Sequence, residues 1–564
     1  MNERAIFHKP ESNYCFATSE KNIVLRLRLS REDEVKKVFV IYGCKYDFFK
    51  VQKRKEMKKR YEDKLFVYYE TELELTDVRL TYVFKIISFE GRYFYSEDGL
   101  TEKYNFKYNF YNCFQYAYIN NSDVHKKVGY MDNALFYEIF VDRFRMGNTK
   151  KDTSYINMKW GDKPTPKSFL GGDLEGIRKE LKYLKKLGVN ALYLTPIFKS
   201  ISNHKYDIED YFEIDEQFGS KEDLKNLVID AHKEGIKVVL DAVFNHISDR
   251  NALYKDVLEK GKESKYYDWF IFKNGKCECF SSCSYMPKLN CDNKEVQDYL
   301  IKVGKYYIEE FDIDGWRLDV SDEVSHAFWK RFRKEIKETK EEVVLIGENW
   351  HDANSYLRGD EFDSIMNYAF TKALLDYLAF NKFDSSDMSA KLNELLTRNT
   401  STVNKMMLNL IDSHDTLRFY TEVKNNLDKY LIAIALLFFY EGVPCIYYGD
   451  ESLMEGGYDP DSRRGFVKNV DNEAYNLIKK LAHIRRYKGF VNSKLYISSE
   501  NGLLILNRVS SKVSYKLVIN NSSKNILYKA TNVITSNRYE SQKLKKRSFV
   551  IERVVLWKRT SSLY

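Results

Sequence analysis

From about residue 130 onward, short apolar runs alternate with longer amphipathic stretches. The runs are ALFYEIFVDRF (134–144), VNALYLTPIF (189–198), KVVLDAVFNH (237–246), IDGWRLDV (313–320), EVVLIGENW (342–350), FDSIMNYAF (362–370), KMMLNLIDSHD (405–415) and VPCIYYGDE (443–451). Between the first two, Leu174, Ile177, Leu181, Leu184 and Leu187 recur at three- and four-residue steps and Gly188 closes the pattern, which predicts a helix over 173–188. A second helix is predicted over 220–235, opened by a Ser220/Asp223 capping pattern and ended by Gly235. Strands separated by helices pair in parallel, because each crossover takes a dozen or more residues. Eight is the number that closes a (β/α)8 TIM barrel. A doubly wound open sheet is the alternative, but the first run continues as DRFRMGN, with no glycine-rich phosphate turn.

The pattern changes on both sides of this region. NIVLRLRLS (22–30) alternates strictly, and KKVFVIYG, KLFVYYETELEL and RLTYVFKIISF follow in the same style. After about 490, KLYISS, GLLILNRV, YKLVIN and FVIERVVLWKR repeat it. We therefore expect an α/β barrel at 126–490 flanked by antiparallel β-sandwiches at 1–125 and 491–564. The span 247–293 after the third run is long for a strand-to-helix loop and is expected to form an inserted lid or subdomain over the barrel mouth.

Composition narrows the function classes. Hydrophobic residues make up 44% of the 564 and aromatics 15%, ample for large cores. The net charge of +9 comes from 91 basic and 82 acidic residues interspersed along the chain, so a solvated surface is expected rather than a nucleic-acid footprint. The densest basic runs, 50–64 and 542–547, read as charged loops or strand edges. The longest apolar stretch, 430–448, is broken by Glu441, Gly442 and Pro444 and reads as a buried helix, a turn and a strand, not a membrane span. Eight cysteines, with no apolar stretch of signal-peptide length in the N-terminal MNERAIFHKPESNYCF, lead us to expect reduced thiols in a cytoplasm. Cys277, Cys279, Cys283 and Cys291 lack the paired C-x2-C knuckles of structural zinc sites, which favours free thiols in a loop.

The barrel makes its own prediction, that reactive groups cluster at the C-terminal strand ends. Asp241, Asn245 and His246 end the third run, Arg317 and Asp319 the fourth, Glu348 the fifth, and His414 and Asp415 the seventh. Any one of these has a structural reading: an Arg–Asp pair tying the barrel, a surface glutamate, a capping acid, a satisfied core histidine. Carboxylates at four strand ends together point to chemistry, and acids on separate strands suit glycoside hydrolysis better than metal binding or phosphoryl transfer. A nucleophilic carboxylate stays ionised beside a cation, and Arg317 lies on the same strand face as Asp319. Glu348 has no cation next to it in sequence and is followed by Asn349 and Trp350, which suits the proton donor.

At this point the chain resembles the α-amylase family of glycoside hydrolases, and within it the cyclomaltodextrinase, neopullulanase and maltogenic amylase group. The resemblance rests on DAVFNH (241–246), GWRLDVSDE (315–323), GENW (347–350) and NLIDSHD (409–415), with MPKLN (286–290), SNHKYDIEDY (202–211), KPTPKSFLGGDL (163–174) and YYGDE (447–451) suggesting the group. It runs from about residue 5 to 490, and FHKPESNYCF…VLRLR resembles the starch-binding-type module that precedes the barrel there. It implies Asp319 as nucleophile, Glu348 as acid/base, Asp415 as transition-state stabiliser and Arg317 as the holder of the nucleophile. It further implies His246, His414 and Tyr206 as contacts of the sugar before the cleaved bond, Asp459 and Arg463 as contacts of the next sugar, Glu323 as a residue of acceptor and water handling, and Asp241 as structural partner of Arg317. A homodimer formed through the N-terminal domain is implied by the same analogy.

Three departures from the family pattern bear on function. The group's Val-Ala-Asn-Glu after the nucleophile is VSDE here, which places Asp322 on the acceptor side, and Arg-Arg-Pro after the eighth strand is RRG. The family's calcium loop keeps Asn148, Asp152, Gly171 and Asp173, but Met146 and Lys151 stand where oxygen ligands are expected, and an ammonium there repels the ion. No cofactor is required by the chemistry. The expected activity is a retaining hydrolysis of α-1,4 bonds in cyclodextrins, maltooligosaccharides or pullulan. The alternatives are a glucanotransferase using the same intermediate and a glucan-binding protein without turnover.

Overall fold

Each of the eight apolar runs supplies one strand to a single parallel sheet: β1 (Phe136–Ile139), β2 (Ala191–Leu194), β3 (Lys237–Ala242), β4 (Gly315–Leu318), β5 (Val344–Gly347), β6 (Ser364–Ile365), β7 (Leu408–Asn409) and β8 (Val443–Tyr447). In the computed structural model, which describes residues 1–107 and 111–556, the strand order is β6-β5-β4-β3-β2-β1-β8-β7. A parallel bridge between Met366 and Leu408 brings the two ends together, so the sheet closes as a barrel. Its interior is packed with Phe136, Ala191, Tyr193, Val239, Val344, Ile346, Leu408 and Val443, all buried.

The helices begin and end where the sequence punctuates them. Asp173 caps Leu174–Leu187 by accepting from the Gly176 N–H, and Gly188 ends it at φ 110°. Ser220 and Asp223 form a reciprocal capping box on Lys221–Lys233. The stretch 430–448 is the buried helix Leu427–Phe439, a turn at Gly442 and strand β8, as its apolar pattern predicts.

The insertion after β3 contains the helix Ala252–Lys260 and a two-residue strand pair, Phe272–Lys273 with Lys276–Cys277. It then folds back on the end of β3: Lys288 bridges His246, and the Leu289 N–H donates to the Asn245 carbonyl at 3.0 Å. Three of its four thiols turn to separate backbone carbonyls, Cys277 to Glu278, Cys279 to Ser284 and Cys291 to Phe244. Among the described residues no three His, Cys, Asp or Glu side chains are arranged to hold a metal.

Packing divides the chain into two units, and the cut is not linear. The first holds Met1–Lys127 with Phe383–Asn404 and Lys494–Asn507; the second holds the barrel with Arg508 onward. In the first unit antiparallel strands Asn22–Ser30, Val35–Cys44, Lys53–Glu62, Phe66–Glu74 and Leu80–Ser88 enclose a core of Ile23, Leu25, Leu27, Leu29, Val38, Tyr82 and Phe84. The polar side of the first of these strands is covered too: Arg26 is buried, pairs with Glu70 at 3.1 Å and donates to the Thr397 carbonyl at 3.0 Å. Residues 383–404 pack with this unit through that contact among others. The C-terminal sheet is antiparallel, with Val513–Asn520 and Val533–Glu540 on either side of Lys543–Val555. The end of the last expected run, from Trp557, lies outside the described residues.

Candidate active site

Asp241 on β3 and Arg317 on β4 are register partners, so their side chains stand together at the C-terminal end of the barrel. The Arg317 guanidinium is buried at 1% exposure and becomes the hub of the site. Its Nη1 donates to Asp241 Oδ1 and Oδ2 at 3.1 and 3.0 Å and to Asp319 Oδ1 at 2.8 Å. Its Nη2 lies 2.9 Å from Glu348 Oε2 and 4.0 Å from Asp415 Oδ2. One cation thus touches or faces four carboxylates from four strand ends.

The chain turns sharply after Asp319. Val320 adopts φ 44°, ψ 43°, a left-handed conformation that a β-branched residue rarely takes. The turn aims the Val320 N–H at Glu348 Oε2, 2.9 Å away. Glu348 Oε1 accepts from Trp350 Nε1 at 3.1 Å, and the Trp350 ring lies flat on Tyr368, 3.7 Å between centroids.

On the opposite wall, His414 directs Nε2 toward Asp415 Oδ2 at 3.1 Å and the Tyr206 hydroxyl at 2.7 Å. The Tyr206 ring lies nearly parallel to the His414 ring, and its hydroxyl donates to Asp241 Oδ2 at 3.0 Å. Arg463 holds the same corner, donating from Nε to the His414 carbonyl at 2.8 Å, from Nη2 to Asp415 at 3.2 Å, and pairing Nη1 with Asp459 at 2.9 Å. His246 is buried at the end of β3, hydrogen-bonded to Asn245 at 3.3 Å and stacked on Phe280 of the insertion. Glu323 is half exposed on the turn beyond Asp322, where Lys288 from the insertion donates to it at 2.6 Å. The structure therefore gathers Asp241, Asn245, His246, Arg317, Asp319, Glu348, His414, Asp415, Tyr206, Asp459 and Arg463 at one barrel mouth, with Glu323 on its margin.

The electrostatics correct one expectation. Glu348 has no sequence neighbour of positive charge, yet Arg317 reaches it from the adjacent strand as closely as it reaches Asp319. Proximity to the cation does not distinguish the two acids. Burial pushes the Asp319 carboxyl well above the ordinary carboxylate range, and the charges of Glu348 and Asp241 push the same way against Arg317. Asp415 behaves oppositely: burial raises it, but His414, Arg463 and Arg317 outweigh burial and hold it below the usual value. Burial pushes His246 down to about 3, which keeps its ring neutral.

Sequence reasoning missed Phe280, Trp350's stack with Tyr368, and two residues inside apolar runs, Tyr193 and Glu138. Tyr193 donates to Asp241 at 2.6 Å, and Glu138 accepts from His414 Nδ1 at 2.5 Å. A lone carboxylate in ALFYEIF was the available signal for Glu138.

Residues 138–488 match the model of the alpha amylase catalytic domain, and residues 1–120 match that of the alpha amylase N-terminal ig-like domain. The chain belongs to the alpha-amylase family. It is 41% identical over 543 residues to a cyclomaltodextrinase of Thermoanaerobacter pseudethanolicus, covering 93% of each chain. It is 38% identical to a maltogenic alpha-amylase of Bacillus acidopullulyticus, covering 89% of this chain and 86% of that one. A solved cyclomaltodextrinase superposes with a TM-score of 0.89 at 32% identity, covering 98% of each chain. The chain is a glycoside hydrolase of this family.

The calcium that the family resemblance implies does not suit the residues present. The Lys151 ammonium, 7% exposed, donates to the Gly171 and Gln217 carbonyls at 2.7 Å each and pairs with Asp173 Oδ2 at 3.0 Å. Asp173 also accepts from the Gly147, Asn148 and Gly176 N–H groups. The Asn148 and Asp152 side chains are exposed and close local turns with the N–H groups of Lys150 and Ser154. A divalent ion requiring six to eight oxygens finds two of them already bound to a cation. Removing divalent ions with EDTA, or adding calcium, is therefore expected to leave the melting temperature unchanged, whereas Lys151→Met lowers it, at a cost of roughly 1–3 kcal/mol of stability for the unpaired buried acceptors. A calcium-dependent rise in the wild-type melting temperature contradicts this.

Proposed function

We propose that the chain is a retaining α-glucan hydrolase that cleaves α-1,4-glucosidic bonds in cyclodextrins, maltooligosaccharides or pullulan through a covalent glycosyl-enzyme intermediate. The observation that carries the reading is the Arg317 guanidinium bound to Asp319 and Glu348 together, with Asp415 alongside. The names of the relatives, cyclomaltodextrinase and maltogenic alpha-amylase, support the substrate class.

In this reading Asp319 attacks the anomeric carbon while Glu348 gives its proton to the departing glycosidic oxygen. Water then attacks the same carbon, yields its proton to Glu348 and releases Asp319. Burial keeps a proton among the acids around Arg317 to higher pH than a free carboxylate would hold it. In the reactive state that proton resides on Glu348, and Asp319 is the carboxylate that accepts from Arg317 Nη1 at 2.8 Å. Asp415, held ionised by His414, Arg463 and Arg317, faces the positive charge that develops on the sugar ring.

Transfer to a sugar instead of water is the second reading. It is favoured by one observation: the turn after the nucleophile carries Asp322 and Glu323 on the acceptor side, with Lys288 pinning Glu323. Assembly as a homodimer through residues 1–125 and an intracellular setting complete the proposal; the resemblance supports the first, and eight cysteines, none in a disulfide among the described residues, the second.

Three measurements follow. NMR of the first product formed from maltotriose or γ-cyclodextrin should show the α-anomer; the β-anomer contradicts a covalent intermediate. Asp319→Asn should lower kcat by roughly 10⁴-fold or more, and near wild-type turnover contradicts its assignment. Light scattering at micromolar concentration should give twice the chain mass, against a monomer if the dimer proposal fails.

A further inference from the structure

We propose that Glu138 is a positioning residue of the active site: from the first barrel strand its carboxylate holds His414 as a doubly protonated imidazolium and aims Nε2–H at Asp415 and the bound sugar. The proposal rests on the glycosidase reading only for its consequence in catalysis.

Glu138 lies on β1, in register with Tyr193 of β2 and Tyr447 of β8, and is fully buried. An isolated buried carboxylate is costly unless it is paired. Among the described residues its one ion-pair partner is His414. Oε1 takes both the ring Nδ1–H, at 2.5 Å, and the backbone N–H of the same histidine, at 3.1 Å. This two-point hold fixes the ring relative to its own backbone. Oε2 is buried without a hydrogen-bond partner.

The hydrogen bonds then specify the protons. Glu138 as a carboxylate only accepts, so Nδ1 carries one. Nε2 faces the Asp415 carboxylate at 3.1 Å, which also only accepts, and the Tyr206 oxygen at 2.7 Å, whose own proton goes to Asp241. Nε2 carries the second. The surrounding charges agree: burial lowers the proton affinity of His414, Asp415 and Glu138 together raise it beyond that, and Arg463 opposes them. Tyr206, Asp241 and Tyr193, whose ring stands edge-on at 6.4 Å, also face it, and Arg317 lies 4.0 Å from Asp415 behind it. A neutral histidine has one N–H to give; the imidazolium gives one to Glu138 and keeps the other, charge-assisted, for the site. The rival reading is that Glu138 merely satisfies the His414 backbone N–H.

Glu138→Gln separates the two, because it keeps an acceptor for both N–H groups and removes only the charge. We expect its melting temperature to hold, kcat on maltotriose to fall by about tenfold with KM little changed, and the alkaline limb of kcat/KM to move down by about one pH unit. The sign follows from linkage: removing an anion lowers the His414 pKa, so the imidazolium is lost at lower pH. In a His414→Gln background the same change should no longer move the limb. Nitrogen NMR of the histidine rings, with His414 assigned from His414→Gln, reads the proton count without turnover. Both ring nitrogens should be protonated in the wild type at neutral pH, and one should lose its proton in Glu138→Gln. A neutral His414 ring in the wild type overturns the proposal even if the variant does not fold, as does a folded variant with unchanged ring signals and pH limb. A wild type that turns over no glucan while showing the imidazolium sinks the glycosidase reading and leaves the Glu138 assignment standing.

Discussion

A single buried guanidinium is the constraint on which the site depends. Arg317 binds Asp241 and Asp319, touches Glu348 and faces Asp415, so acids from four strand ends share one positive charge. Breaking such a pair on one side leaves an uncompensated buried charge, worth about 3–5 kcal/mol. The remaining negative charge is balanced from the other wall by Arg463 and His414, and by protons that burial retains. In the proposed reaction, acid–base chemistry and charge stabilisation both draw on this one imbalance.

The barrel makes the imbalance possible by register. Asp241 and Arg317 are neighbours across β3 and β4, and Leu318 pairs with Gly347 just before Glu348. The backbone contributes a donor of its own. The left-handed turn at Val320 brings an N–H onto Glu348, and a strained conformation of that kind costs of order 1–3 kcal/mol. Gly347 is needed beside it, because a Cβ there would lie 2.6 Å from the Phe362 ring.

Much of this was legible in the chain. Every apolar run contained a barrel strand, because a strand buried on both faces must be apolar along its length. The polar residues that ended the runs met at one mouth for the same geometric reason. Local spacing put Arg317 and Asp319 on one face, but it could not reveal that Arg317 also reaches Glu348 from the neighbouring strand, 31 residues on. Glu138 was hidden inside an apolar run, and its meaning depends on His414, 276 residues away. The same holds for Arg26 and Thr397, which meet in the first unit although 371 residues apart. Lys151 was readable because a cation among expected metal ligands conflicts locally.

The central claim is that Asp319, held by Arg317, forms the covalent bond to the sugar. Trapping with a fluorinated α-glucosyl fluoride that slows breakdown of the intermediate, followed by peptide mass spectrometry, tests it directly. The account predicts one glucosyl adduct on the peptide carrying Asp319. An adduct on Glu348 or Asp415 instead, or turnover of the probe with no adduct and inverted product, would contradict it.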